Sequence, residues 1–314
     1  MGKLAYIFSG QGAQYVGMGK DLFQNVIKSR EIFERANCEL GFDIAKLCFE
    51  GPNEELSKTE NTQPAILTMS IAALEAIKTN KIIPDVTAGL SLGEYSALVC
   101  SGVMDFTTAV RLVKKRGRFM QEAVPDGKGS MAAVLGLDGD NVRKACEESK
   151  ISGIAEIANV NCPGQIVIAG EIEAVKLACE KAKEKGAIRT IILPVSAPFH
   201  TSMLKPAGEK LKLELLNTQL NLINIPLITN VTAEYVNSTT DIKELLCKQV
   251  MSTVLWEETI NRMIHDGVDT FVEFGPGKVL SGFIKKINRN MTILNVEDMK
   301  SLNNTIEVLS KNFS

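Results

Sequence analysis

Three kinds of residue in this 314-residue chain have types and spacing that could do acyl chemistry: one serine, one histidine and one arginine. The serine is Ser91, framed as Gly89-Leu90-Ser91-Leu92-Gly93 between a short β-favouring run from Val86 and a helix-forming run through Leu98. A strand that turns sharply into a helix at Gly-x-Ser-x-Gly is the setting of a nucleophile elbow. The glycines let the backbone pass where a Cβ would obstruct it. The helix that follows aims its N-terminal N–H groups and dipole at the serine, where an oxyanion could be held. A bare Gly-x-Ser-x-Gly also fits an ordinary turn, and the strand–turn–helix context is what favours the nucleophile.

A serine hydroxyl needs a general base. The chain has two histidines. His265 precedes Asp266-Gly267 at an expected helix C-terminus and reads as structural. His200, in Ser196-Ala197-Pro198-Phe199-His200-Thr201, lies downstream of the serine at a domain junction and is the candidate base. No acidic residue is marked by a motif as its orienting partner, which a triad requires. The arginine is Arg116. At about 100° per residue, Ala109, Leu112, Val113, Phe119, Met120 and Ala123 form one apolar stripe of a helix over Thr107–Ala123. Arg116 falls inside that stripe, and a buried guanidinium must meet an anion. Glu94 and an anionic substrate both qualify from sequence.

These side chains have to be positioned by an α/β framework. Leu4–Phe8 reads as a buried strand ending in the glycine-rich loop Ser9-Gly10-Gln11-Gly12-Ala13-Gln14. That loop lacks the spacing of a phosphate or dinucleotide loop. Helices are expected over Asp21–Asn37 and Pro64–Ile77. After Pro125-Asp126-Gly127-Lys128-Gly129, a linker by composition, the pattern is strand Met131–Gly136, helix Asp140–Ser149, strand Ile154–Val160, strand Gln165–Gly170, helix Glu171–Lys185 and strand Ile188–Val195. That β-α-β-β-α-β order is the split βαβ, ferredoxin-like arrangement. It predicts a small subdomain over 125–196 inserted in a larger α/β domain made of 1–124 and 197–314. Further on, strands are expected over Ile225–Val231 and Thr270–Phe274, and helices over Thr239–Met251, Glu257–Asp266 and Lys278–Ile287.

Composition sets bounds on function. Hydrophobic residues are 45% and charged residues 23%, ordinary for a globular protein. A net charge of −2 gives no global pull toward nucleic acid or membrane. The seven cysteines are scattered without a CxxC pair, so neither a metal site nor a disulfide framework is expected. Free thiols fit a cytoplasmic location. The N-terminal apolar run is too short for a signal peptide core. The longest uncharged run, Leu215–Ala233, is broken by polar residues and Pro226, a poor membrane span.

Phe8-Ser9-Gly10-Gln11-Gly12-Ala13-Gln14, Gly89-Leu90-Ser91-Leu92-Gly93-Glu94-Tyr95, Lys115-Arg116-Gly117-Arg118-Phe119-Met120-Gln121 and Pro198-Phe199-His200 closely resemble the malonyl-CoA:acyl carrier protein transacylase family. Asn159-Val160-Asn161-Cys162-Pro163-Gly164-Gln165 and Phe274-Gly275-Pro276-Gly277-Lys278-Val279 match it too, so the resemblance spans essentially the whole chain. It implies an α/β-hydrolase-like core with an inserted ferredoxin-like subdomain. It implies that Ser91 becomes the malonyl ester, that His200 is its base and then the acid for the leaving thiol, and that Arg116 holds the malonyl carboxylate. The backbone N–H groups of Gln11 and Leu92 would form the oxyanion hole, the backbone carbonyl of Gln249 would orient His200, and Gln63 and Asn161 would lie near the site. The expected partners are malonyl-CoA and acyl carrier protein, the latter meeting basic residues such as Lys114, Lys115, Arg118 and Lys278. A monomer with no metal and no cofactor is expected. One departure is Leu90, where most members carry histidine; the neighbour of an elbow serine points away from it, so a change in packing is expected rather than in chemistry. The competing readings are an acyltransferase for a polyketide assembly line, a serine esterase or thioesterase, and a non-catalytic carrier-protein-binding module. The joint presence of Ser91, His200 and Arg116 argues against the last.

Overall fold

A computed structural model describes residues 2–78, 80–125, 127–195 and 197–313. Asp126 of the expected linker and Ser196 at the far junction lie outside the described residues. The strands are β1 (Lys3–Phe8), β2 (Val86–Gly89), β3 (Gly129–Leu135), β4 (Ala155–Cys162), β5 (Gln165–Glu171), β6 (Arg189–Ile192), β7 (Val254–Leu255), β8 (Val268–Phe274) and β9 (Thr292–Val296). They form two sheets, one in the order β2-β1-β8-β9 and the other β6-β3-β5-β4-β7.

The first sheet is wholly parallel. Parallel strands joined by helical crossovers are buried on both faces and therefore read as continuous apolar runs. β1 shows this directly. Leu4, Tyr6 and Phe8 pack into one apolar cluster, which includes the helices Thr59–Lys78 and Phe106–Glu122. Ala5 and Ile7 pack into another, with Trp256, Ile260 and Phe271. Each large side chain removed from water contributes roughly 1.5–3 kcal/mol, so this sheet is a rigid base. Its strands run the same way, so the loop after β1, the turn after β2 and the Gly275-Pro276-Gly277 turn after β8 all emerge at one edge, the usual place for a site in an open parallel sheet.

The second sheet has the chain order β3, helix Gly139–Glu148, β4, β5, helix Ile172–Glu184, β6. Its first four strands pair antiparallel, and the two helices share a third apolar cluster with Ala132, Val134, Ile166 and Ile168. The fifth strand, β7, comes from much later in the chain and pairs parallel to β4, Asn159 opposite Val254.

Three expectations change. The helix expected over Asp21–Asn37 is two, Lys20–Asn25 and Ile27–Leu40, because Val26 is extended at φ −123° and ψ 114°. The strand expected over Ile225–Val231 makes only isolated bridges, Leu227 to Thr87 and Ile228 to Tyr235. The helix expected from Pro64 begins at Thr59, with Glu60 in its first turn and Pro64 inside it. Helices Lys205–Leu216 and Met299–Asn312 and strand β9 complete the framework.

Glycine at 89 and 93 is a steric requirement. A Cβ on Gly89 would lie 1.9 Å from the Gly93 carbonyl carbon, and one on Gly93 would lie 2.1 Å from the Phe8 carbonyl oxygen. Backbone atoms cannot yield as a flexible side chain does. Gly93→Ala is expected to cost about 3 kcal/mol or more, the upper end of overpacking costs. A urea midpoint equal to that of the parent protein would disprove this.

Candidate active site

Ser91 sits at the turn between β2 and the helix Gly93–Cys100 with φ 52°, a left-handed conformation in a residue that has a side chain. Such backbone costs on the order of 1–3 kcal/mol and persists only where its surroundings over-determine it. Here the brace is Asn230. Its Oδ1 accepts the Ser91 N–H at 2.6 Å and its Nδ2 donates to the Gly89 carbonyl at 2.7 Å, tying both sides of the turn to a distant segment. The Asn230 N–H in turn donates to Glu94 Oε2 at 2.9 Å. Sequence reading missed Asn230; its one signal is a carboxamide amid the apolar run from Ile225.

The Ser91 Oγ lies 2.7 Å from His200 Nε2. His200 Nδ1 lies 2.7 Å from the Gln249 main-chain oxygen. A carbonyl can only accept, so Nδ1 carries the proton and Nε2 presents its lone pair to the serine hydroxyl. The group facing Nδ1, which no acidic motif marks and which the resemblance implies, is a main-chain carbonyl at the end of the helix Thr239–Gln249, and the His200 N–H donates to the next carbonyl, Val250, at 3.2 Å. His200 is buried, with φ 62°. Burial and then the nearby Arg116 charge push its pKa down from 6.5 to about 4, opposed by its backbone hydrogen bonds. The His200 imidazole is therefore neutral across the physiological range. Turnover through this pair is expected to rise with pH through about 4 and to be level near neutrality. An acid limb at the ordinary histidine value in a kcat/KM profile, which reports the free enzyme, would count against this.

Arg116 reaches the pair from the helix Phe106–Glu122 and is 1% exposed. Its Nη1 donates to Gln63 Oε1 at 2.8 Å; its Nη2 donates to Gln249 Oε1 at 2.8 Å and to Ser91 Oγ at 3.3 Å. The guanidinium also lies over the Tyr95 ring, 5.3 Å from its centroid. Of the two partners sequence left open, Glu94 does not pair with it: among the described residues no carboxylate lies within salt-bridge distance of Arg116, and its Nε has no hydrogen-bond partner. Desolvation pulls its pKa down, offset in part by Tyr95 and Glu94. Neutral oxygens satisfy some donors of this cation but not its charge.

Leu92 caps the helix Gly93–Cys100, and Gln11 lies in the loop after β1 with its side chain donating weakly to Thr59. Among the described residues neither Leu92 N–H nor Gln11 N–H has an acceptor. Gln63, on the helix Thr59–Lys78, joins the cluster through Arg116. Asn161 on β4 is buried with an unpartnered Oδ1 and is not bonded to Ser91, His200 or Arg116. Leu90 packs against the cluster that holds Trp256, as a residue pointing away from the site does. His265 is the exposed last residue of its helix. A cavity of about 550 Å³ opens over His200 between β4 and Met251–Leu255. Lys115, Arg118 and Lys278 each face a carboxylate, and Lys114 lies over the Phe42 ring, so the charges expected to meet an acidic partner are in part already compensated. Among the described residues no cluster of His, Cys, Asp and Glu could hold a metal ion, and no helix is long and apolar enough to cross a membrane.

Residues 5–305 match the acyl transferase domain. The chain is 48% identical over 312 residues to a malonyl CoA-acyl carrier protein transacylase of Bacillus subtilis, covering 99% of this chain and 98% of that one. The chain belongs to the malonyl CoA-acyl carrier protein transacylase family. A crystal structure of the family's member from Clostridium perfringens superposes with a TM-score of 0.95 at 52% identity, over 98% of each chain. A malonyl-transacylase solved in complex with a holo type II PKS acyl-carrier protein superposes with a TM-score of 0.95 at 41% identity, over 98% of this chain and 99% of that one. The family's mixed α/β architecture is thus the architecture here.

Proposed function

We propose that the chain moves a malonyl group from malonyl-CoA to the phosphopantetheine thiol of acyl carrier protein in fatty-acid synthesis, by way of an ester on Ser91. The observation that carries the reading is the buried Arg116, bonded to the Ser91 hydroxyl and lacking a carboxylate. An acyl group delivered to that serine with a free carboxylate would supply the missing anion, in a two-pronged pair.

In the first half-reaction Ser91 Oγ attacks the thioester carbonyl as its proton passes to His200 Nε2. The oxyanion is held by the N–H groups of Leu92 and Gln11, whose lack of other acceptors supports that role. Collapse breaks the C–S bond, and the CoA thiolate leaves with the proton from His200. In the second, His200 takes the proton of the carrier thiol, the thiolate attacks the ester, and Ser91 leaves as the alcohol with its proton restored. The kinetics are ping-pong. The Gln249 carbonyl holds the imidazole in one tautomer and gains strength as the ring becomes cationic. No cofactor enters this scheme.

The finer reading of the fold belongs to the same proposal. The β2-β1-β8-β9 sheet with an elbow after β2 supports an α/β-hydrolase-like core over 1–124 and 197–314. The β6-β3-β5-β4 order, with crossover helices between β3 and β4 and between β5 and β6, supports a ferredoxin-like subdomain over 125–196. A monomeric cytoplasmic enzyme completes the reading. Service to a polyketide assembly line is a second reading, supported by the relative solved with a type II PKS carrier protein.

The deciding experiment is intact-mass spectrometry after brief incubation with malonyl-CoA. One malonyl adduct, discharged by holo acyl carrier protein, is the expected result. An adduct lost to water at the same rate without carrier protein would identify a thioesterase, and no adduct would refute the reading.

A further inference from the structure

We infer that the side chain of Gln249, locked by Glu94, is a positioning residue that sets selectivity for carboxylated acyl donors. The inference rests on the acyl-transfer reading above, and on a function of Gln249 separate from its main-chain contact with His200.

The Gln249 amide has no freedom to turn over. Its Nε2 donates to two acceptors, the Ser91 carbonyl at 2.9 Å and Glu94 Oε2 at 2.9 Å. Its Oε1 accordingly faces Arg116 Nη2 at 2.8 Å. Reversing the amide would set its oxygen against a carbonyl and a carboxylate and its NH2 against a guanidinium, losing all three bonds. All the groups concerned are buried. Glu94 is itself fixed by the Asn230 N–H at 2.9 Å, so the lock is continuous with the brace that holds the Ser91 turn.

This arrangement resolves a conflict of charge. A carboxylate placed directly on Arg116 would neutralise it and compete with the donor's own carboxylate. With no anion at all behind it, the buried cation would be poorly supported. Glu94 stands one residue removed, polarising Gln249 so that its oxygen meets the guanidinium, while Arg116 keeps its Nε without a partner. Gln63 holds Nη1 from the other side. The guanidinium is thus held in plane by two amide oxygens, which fixes its direction and leaves its charge for the ligand.

The test compares kcat/KM for malonyl-CoA and acetyl-CoA in the parent protein and in Gln249→Met, Gln249→Glu and Glu94→Gln. All three keep the main-chain carbonyl that faces His200, and circular dichroism confirms folding. Gln249→Met is expected to lower the malonyl-to-acetyl ratio at least tenfold, with most of the change in KM for malonyl-CoA. Gln249→Glu, which sets an anion against Arg116, is expected to lower it further. Glu94→Gln, which keeps size and an acceptor oxygen but releases the amide from a fixed orientation, is expected to lower it by a smaller factor in the same direction. Equal losses with both donors, leaving the ratio unchanged, would overturn the inference and leave Gln249 as packing for the turn. A parent protein that accepts neither donor would overturn the acyl-transfer reading and this inference with it.

Discussion

Ser91→Ala is expected to lower malonyl transfer about 10⁶-fold, the loss found when a serine nucleophile is removed from a serine hydrolase, and to abolish the covalent adduct in intact-mass spectra. The reason lies in how narrowly the site is organised around one oxygen. The Ser91 Oγ is the atom that His200 Nε2 faces at 2.7 Å, and it is also a partner of Arg116. Nothing else within the cluster can take over: the nearby hydroxyl of Tyr95 is buried, unpartnered and pushed up in pKa by desolvation. In the proposed mechanism Ser91 and His200 act as one unit, so the double variant Ser91→Ala/His200→Ala should be no slower than Ser91→Ala alone within a few-fold. A retained adduct in Ser91→Ala, or multiplicative losses in the double variant, would place the chemistry elsewhere.

The parts of this site that sequence could convey are those whose constraint is local. Gly89 meets the Gly93 backbone four positions on, and a contact at that range leaves its mark as spacing; Gly93 is constrained by the Phe8 carbonyl of the neighbouring strand and is legible only as the second glycine of the Gly-x-Ser-x-Gly turn. Arg116 was legible because one cation interrupts an apolar stripe of a helix whose other positions on that face are buried. The second sheet was legible because each strand and helix keeps its own period, and the β-α-β-β-α-β order emerges from those alone. The β-α-β-β-α-β pattern nevertheless gave no hint of β7, which joins the sheet from about sixty residues beyond β6.

What stayed hidden was carried by long-range hydrogen bonds between residues with no mutual spacing. Asn230 braces a turn 139 positions away, and Gln249 reaches Ser91 across 158. Neither leaves a periodic signal. The break at Val26 was hidden for the opposite reason: apolar positions continue on both sides of it, so periodicity ran through a kink that a single extended residue makes. The run from Ile225 looked like a strand from its β-branched residues, yet a strand is defined by its neighbours, and here the partners offer only single bridges. Glu94 illustrates the same limit. It was weighed as an ion-pair partner for Arg116, and it does act near that cation, but through the Gln249 amide. Burial pushes its pKa up to about 7, against the hydrogen bonds from Gln249 and Asn230 and the Arg116 charge. No count of opposite charges would reveal an amide placed between a guanidinium and a buried carboxyl group.

Arg116→Ala is expected to lower kcat/KM for malonyl-CoA by roughly 10²–10³-fold, while acetyl-CoA loses far less or gains. Removing one partner of a buried ion pair costs about 3–5 kcal/mol because the other charge is left unpaired. Here the charge left behind is the donor's carboxylate, so the cost falls on malonyl and not on acetyl. With Arg116 present the balance is reversed: an acetyl group leaves the guanidinium unpaired in a site where its Nε already lacks a partner. A site built around a buried polar group rejects the analogue that cannot pair with it. The same substitution carries a second, independent signature. The Arg116 charge is one of the forces holding the His200 pKa down. Its removal should move the acid limb of the pH profile upward from about 4 toward the ordinary histidine value, so that transfer fails at a less acidic pH than in the parent protein. Loss of donor selectivity with an unmoved acid limb would show that Arg116 binds the donor without influencing the base. An unchanged malonyl preference would remove the anion-binding role altogether, and with it the reason for a full positive charge at 1% exposure beside the nucleophile.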